Sequence, residues 1–115
     1  VMDRYVGLER EEKGLSDALA EVRRMRAEGL PQMNVAPARR FCYEVQEAYE
    51  VRAMLDLAEI VILSALERRE TRGHHYRLDF PQPEKVPFHT SVQLLRGDHR
   101  LGRIPISKRK SGEAR

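Results

Sequence analysis

The chain has 115 residues, 41% hydrophobic and 34% charged, which is the composition of one globular domain and not of a disordered or collagen-like chain. No run of about 18 apolar residues is present to cross a membrane, and with the early Asp3 and no apolar stretch behind it no signal peptide is expected in these residues. The net charge of +3 is uneven: residues 96–115 hold seven basic residues against Asp98 and Glu113, whereas residues 1–95 hold 14 basic against 16 acidic. A basic terminal extension points to a solvated end more than to a nucleic-acid interface, so no nucleic-acid partner is expected. The single cysteine, Cys42, has no internal disulfide partner and suits a reducing compartment.

In chain order, Val1, Met2, Tyr5 and Val6 share one helical face and Gly7 is placed to end that helix. The expectation is a helix whose greater part lies upstream, and so a truncated first helix. A second helix is predicted over residues 11–28 from the stripe Leu15, Ala18, Leu19, Val22 and Met25, with Gly29 in the C-cap position. After a connector containing Pro31 and Asn34, Pro37 can open a third helix that nothing breaks before Gly73. Over residues 38–72 such a helix would be on the order of 50 Å long at about 1.5 Å per residue.

Within it, residues 51–66 are apolar except for Arg52, Asp56, Glu59 and Ser64. One partner helix covers a stripe roughly 100° wide, so this segment is expected to need cover on several sides and, in isolation, to self-associate. Beyond Gly73, Phe80-Pro81-Gln82-Pro83 and Pro87 exclude helix, and residues 90–95 and 100–106 can pair as a hairpin about Gly97-Asp98. The predicted fold is all-α: a three-helix, spectrin-repeat-like bundle with a truncated first helix, a long third helix and a short C-terminal β-hairpin or extended tail. Residues 1–106 form the domain and residues 107–115 a basic tail.

The chemistry-bearing motifs are sparse. The seven glycines form neither a G-x-G-x-x-G turn nor a P-loop, and no serine sits in a G-x-S-x-G elbow. His74, His75, His89, His99 and Cys42 lack the spacing of a zinc site, and the ordinary roles of surface histidine and buried thiol fit them better. No catalytic, cofactor-binding or metal-binding residue is therefore assigned. The densest polar cluster follows the long helix at residues 68–81. It suits either a helix end with basic residues on its negative dipole, or a corner through which Arg72, Gly73, His75 and Arg77 contact another domain. Gly73 is expected at positive φ, and Arg72 is expected to fold back onto carbonyls or an acid.

Glu70-Thr71-Arg72-Gly73-His74-His75-Tyr76-Arg77-Leu78-Asp79-Phe80-Pro81 resembles the E-S-R-G-A-H-Y-R-x-D-F-P signature of the carboxyl-terminal region of the succinate dehydrogenase, fumarate reductase and L-aspartate oxidase flavoproteins. Glu50-Val51-Arg52-Ala53-Met54-Leu55-Asp56-Leu57-Ala58-Glu59 is similar to that family's E-L-x-N-M-L-x-L-A-E, and Met2 with Tyr5-Val6-Gly7-Leu8-Glu9-Arg10 to M-x-x-Y-V-G-x-x-R. His89-Thr90 and Arg103-Ile104-Pro105-Ile106 match its later H-T and closing strand. Ala53, Thr71 and His74 stand where the family has Asn, Ser and Ala, and the segment between Pro81 and His89 is short, without the acidic run of succinate-oxidising members.

The resemblance implies a longer protein with an FAD-binding domain, a mobile capping domain and this helical carboxyl-terminal domain. It implies oxidation or reduction of a dicarboxylate, with FAD and the catalytic Arg and His residues on the first two domains. The partners implied are those two domains and an iron–sulfur subunit. The location implied is the cytoplasm, at the cytoplasmic face of a membrane complex in electron transport. The rival expectation is a stand-alone helical interaction or nucleic-acid-binding module using the basic tail.

Overall fold

The computed structural model describes residues 1–34, 43–95 and 98–106. The first helical turn, α1, spans Met2–Tyr5, and a two-residue strand, β1, follows at Glu9–Arg10. Helix α2 covers Glu12–Arg24 and runs on through a π turn at Met25–Gly29 into a last turn, α3, at Leu30–Gln32. Helix α4 covers Tyr43–Glu67. Strand β2 is Tyr76–Arg77, and strands β3 (Phe88–Leu95) and β4 (Asp98–Pro105) complete the described chain.

Helices α2 and α4 pack side by side and antiparallel. Glu12 at the start of α2 meets Arg69 beyond the end of α4 at 3.7 Å, while Arg23, late in α2, meets Glu59 further back along α4 at 2.9 Å. Four of the five predicted stripe residues of α2 build the core: Leu15, Ala18 and Val22 are buried with Val6, Ile62 and Ala65, and Leu19, Met2 and Tyr5 pack around them, whereas Met25 falls in the π turn outside this cluster. Of the apolar run in α4, only Ile62 and Ala65 reach full burial, and Met54, Leu57 and Val61 remain 60%, 61% and 43% exposed.

The all-α, three-helix bundle is not what forms. About 23% of the described residues are strand or bridge, in two small sheets, and besides α2 and α4 the described helices are single turns. β1 pairs in parallel with β2, Glu9 opposite Tyr76 and Arg10 opposite Arg77, across a separation of 67 residues. β3 and β4 pair antiparallel from Phe88–Pro105 to Leu95–Asp98; each strand starts two residues earlier than the sequence suggested, β3 ends at Leu95 as expected and β4 ends one residue short of Ile106. The alternation of this hairpin turns Phe88, Thr90, Val92 and Leu94 to one face.

Two helix limits also differ from expectation. Gly29 has φ −73° and ψ −50°, so it continues the helix and caps nothing; the extra π residue carries the chain on to Gln32. α4 stops at Glu67, short of Arg72: the Arg69 N–H turns to the Glu67 carbonyl, the Ala65 carbonyl accepts from Arg77 instead, and beyond them Thr71 donates to the Gln82 carbonyl and Arg72 to that of His75. The expected helix start at Pro37, Cys42, the hairpin turn at Gly97 and the tail at 107–115 lie outside the described residues.

Candidate domain-docking corner

The segment leaving α4 is organised by hydrogen bonds of its own. Arg72 and His75 exchange both backbone bonds, N–H of each to C=O of the other at 2.9 and 3.1 Å, which closes a two-residue turn on Gly73-His74. Gly73 has φ +59°, the conformation such a tight turn demands and one that costs a residue with Cβ. Thr71 fixes the loop behind it: its Oγ1 accepts from the Arg77 N–H at 2.9 Å and donates to the Phe80 carbonyl at 2.9 Å. The hydroxyl, not the identity Ser or Thr, is what this position uses.

Two buried charged residues, Glu70 and Arg77, and the His75 ring lie beneath the turn. Glu70 is fully buried and accepts from Arg68 Nη1 at 2.8 Å, Arg72 Nε at 3.0 Å and the Glu84 N–H at 2.8 Å. Burial pushes its carboxyl up, but the Glu84 N–H and the two guanidinium groups more than offset this and hold it below the usual carboxylate range. Arg72 also donates to the Glu84 carbonyl at 2.7 Å, so its fork spans an acid and a carbonyl as expected.

Arg77 is fully buried. It grips Asp79 through Nε and Nη2 at 2.6 and 2.5 Å, donates to the Ala65 carbonyl of α4 at 2.8 Å, and reaches Glu12 at 3.4 Å. Asp79 in turn accepts from the Glu12 N–H at 3.0 Å. The neighbouring Arg77 guanidinium, against the effect of burial, keeps the Asp79 carboxyl below its ordinary value, and Asp79 raises that of Arg77. These groups close orphan donors and acceptors at the start of α2 and the end of α4.

The half-buried His75 ring joins two elements: Nδ1 lies 2.9 Å from Arg10 Nη1 and Nε2 2.9 Å from the Arg68 carbonyl. Arg10 also donates from Nε to the Gly7 carbonyl at 3.0 Å. Burial first, and then the charges of Arg10, Arg68 and Arg77, lower the pKa of His75 from its ordinary 6.5 although the Arg68 carbonyl opposes them.

The hairpin is anchored to the same helix end. Phe88 lies between the Arg68 and Arg103 guanidinium groups, each 4.5 Å from the ring centre. Arg68 Nη2 donates to the Phe88 carbonyl at 2.7 Å, and Arg103 donates to the Glu67 carboxylate and carbonyl at 2.7 and 3.0 Å. A second buried acid, Glu59, sits farther back on α4 with Arg23 at 2.9 Å and Arg26 at 2.5 Å, and Arg26 also pairs with Asp56.

Of the four candidate residues, Arg72 and Gly73 are exposed on the turn, whereas His75 and Arg77 turn into this chain's own body. The side-chain anchors Arg10, Arg68, Glu70, Asp79 and Glu59 were not singled out from sequence. Arg10, Glu59, Glu70 and Asp79 stood inside the motifs of the family resemblance, and Arg68 opened the polar cluster at residues 68–81. Glu59 could have been suspected as an acid within an apolar run that must find a cation. Among the described residues no group of His, Cys, Asp and Glu has the arrangement of a metal site. None of the described helices is long and apolar enough to cross a membrane.

A family profile described as "Fumarate reductase flavoprotein C-term" matches residues 1–111. The fumarate reductase flavoprotein subunit of Helicobacter pylori is 36% identical over 85 residues, 71% of this chain and 12% of that protein. The corresponding subunit of Mycobacterium tuberculosis is 30% identical over 109 residues, 92% of this chain and 19% of that protein. An L-aspartate oxidase of Synechocystis is 47% identical over 48 residues, 41% of this chain and 9% of that protein. The fold is similar to part of Mycobacterium smegmatis Sdh1, solved in complex with UQ1, with a TM-score of 0.72 at 24% identity over 94% of this chain and 18% of that one. The chain thus spans less than a fifth of the length of these relatives, and it belongs to the family of fumarate reductase flavoprotein carboxyl-terminal domains.

Proposed function

We propose that this chain is the carboxyl-terminal packing domain of a longer FAD-dependent oxidoreductase that interconverts a dicarboxylate and its unsaturated or imino product, of the succinate–fumarate or L-aspartate–iminoaspartate type. Residues 1–106 are the packing unit and residues 107–115 a basic tail. The domain braces the flavin-binding and capping domains, shapes the docking of an iron–sulfur subunit, and works at the cytoplasmic face of a membrane complex. It gives no group to hydride or proton transfer.

The observation that supports this reading is the division of labour at the corner. Arg68, Arg72 and Arg77 already donate to oxygens of this chain, so they do not fit the pyrophosphate of a dinucleotide. FAD is therefore assigned to the other domains, where it would accept the hydride. Apolar side chains meanwhile stand on the surface: Met54, Leu57 and Val61 along α4, Tyr76 and Leu78 beside the turn. Exposed apolar surface of this kind marks contact with further protein. Within this face Arg72 and Gly73 form the contact rim, and His75 and Arg77 hold the rim from beneath.

Expression of the full-length protein with and without residues 1–106 tests the proposal. Loss of thermal stability and of retained flavin on deletion is expected. A truncated protein that keeps its FAD, stability and turnover would contradict it.

A further inference from the structure

We propose that His75 is a neutral bridge of fixed tautomer that latches β1 to the corner, and that adding a proton to its Nδ1 releases the latch. The assignment follows from what the two partners are able to do. A guanidinium only donates, so Nδ1, 2.9 Å from Arg10 Nη1, must present a lone pair. A carbonyl only accepts, so Nε2, 2.9 Å from the Arg68 oxygen, must carry the hydrogen. The ring is thereby one link between β1 and the end of α4, beside the two-residue ladder of β1 with β2 and the Leu78 N–H bond to the Arg10 carbonyl.

Protonation at Nδ1 removes the acceptor of Arg10 and sets two cations face to face. The charged groups that act on the ring are Arg10 from β1, Arg68 from the end of α4 and Arg77 from β2, all cations. The acids of the corner are engaged elsewhere, Glu70 with Arg68 and Arg72, Asp79 and Glu12 with Arg77. Nothing in this set favours an imidazolium. The geometry and the lowered pKa agree on the sign: the unfolded chain takes up the proton near pH 6.5 and the native bridge only at lower pH. Stability from the bridge is therefore constant above about pH 6.5 and is lost as the pH falls from there through the native value. With the latch open, β1 is held to the corner by the β1–β2 ladder and the Leu78 bond alone, which loosens the rim assigned above to domain contact.

Nitrogen-15 NMR of the histidine rings in the 115-residue chain tests this directly. The expected result is a His75 ring with hydrogen on Nε2 and a bare Nδ1 at pH 7, titrating with a midpoint below 6.5, and faster exchange of the Leu78 amide as it does so. A hydrogen on Nδ1 at pH 7, or a midpoint at or above 6.5, overturns the proposal. His75→Gln supplies a second reading, because its amide can accept from Arg10 and donate to the Arg68 carbonyl without titrating. Its melting temperature should be flatter than that of the unsubstituted chain between pH 6.5 and 5. An equal fall in both would also overturn the proposal, and if the variant does not fold the NMR titration alone decides.

Discussion

The Arg77 guanidinium and the Asp79 carboxylate form a two-point ion pair, with contacts of 2.6 and 2.5 Å, in which each partner also closes a helix end. Arg77 donates to the Ala65 carbonyl near the end of α4, and Asp79 accepts from the Glu12 N–H at the start of α2. Cation at a helix C-terminus and anion at an N-terminus is the favourable arrangement for both dipoles. One pair thus fixes the two main helices relative to each other. Arg77→Ala would leave an acid and a carbonyl without their partner and should cost about 3–5 kcal/mol. Asp79→Ala, at a partly exposed position, should cost less, about 1–3 kcal/mol. Urea unfolding of both single variants and the double variant should give a coupling above about 1 kcal/mol, and a coupling near zero would refute the shared role.

Acid should unfold the chain in a second, lower window. Glu70 and Asp79 are both held below their ordinary values of 4.5 and 3.8. A carboxylate depressed in the folded state adds stability that is present above its unfolded pKa and disappears as the pH falls through its folded value. Denaturant midpoints should therefore drop steeply below about pH 4.5, separate from the histidine window. Glu70→Gln should be less stable at pH 7 but show a shallower drop, which urea titrations at pH 7, 5, 4 and 3 measure.

Gly73 is a clean backbone test. Its φ is +59°, and a Cβ built there meets nothing within 4 Å. Gly73→Ala should thus lose about 1 kcal/mol from conformation alone, and Gly73→Asn less, because Asn tolerates the left-handed region. A drop in melting temperature for Ala that Asn partly recovers is the expected pattern.

The exposed face of α4 should make the isolated chain associate. Met54, Leu57 and Val61 lie three and four residues apart and form one continuous apolar strip. Light scattering on the order of tens of micromolar should show species larger than a monomer, and Leu57→Arg should restore the monomer. A monomeric unsubstituted chain at that concentration would contradict the expectation.

Much of this was legible before the structure. The stripe of α2 became the core, and the run in α4 exceeded what α2 could cover. Gly73 took the positive φ its place in the turn suggested. The class was misjudged because β1 and β2 are two residues each, too short to show alternation, and their pairing joins Arg10 to Arg77 across most of the chain. The end of α4 was misplaced for a related reason. Residues 68–72 have no helix breaker, and the helix ends instead through long-range captures, of the Ala65 carbonyl by Arg77 and of the Thr71 and Arg72 N–H groups by Gln82 and His75. Arg77 was expected to face outward with His75. Its burial depends on Ala65, Glu12 and Asp79 converging, which no local pattern encodes.

The central claim is that this corner orients domains and exchanges no proton with substrate. The most direct measurement is the pH profile of turnover in the full-length enzyme carrying Arg72→Ala. Arg72 is the exposed member of the buried Glu70 cluster, bonded to Glu70 at 3.0 Å and to the Glu84 carbonyl at 2.7 Å. Its loss should lower thermal stability or flavin retention while both limbs of the profile keep their positions. A folded, flavin-replete variant in which one titrating limb has vanished or moved would contradict the account.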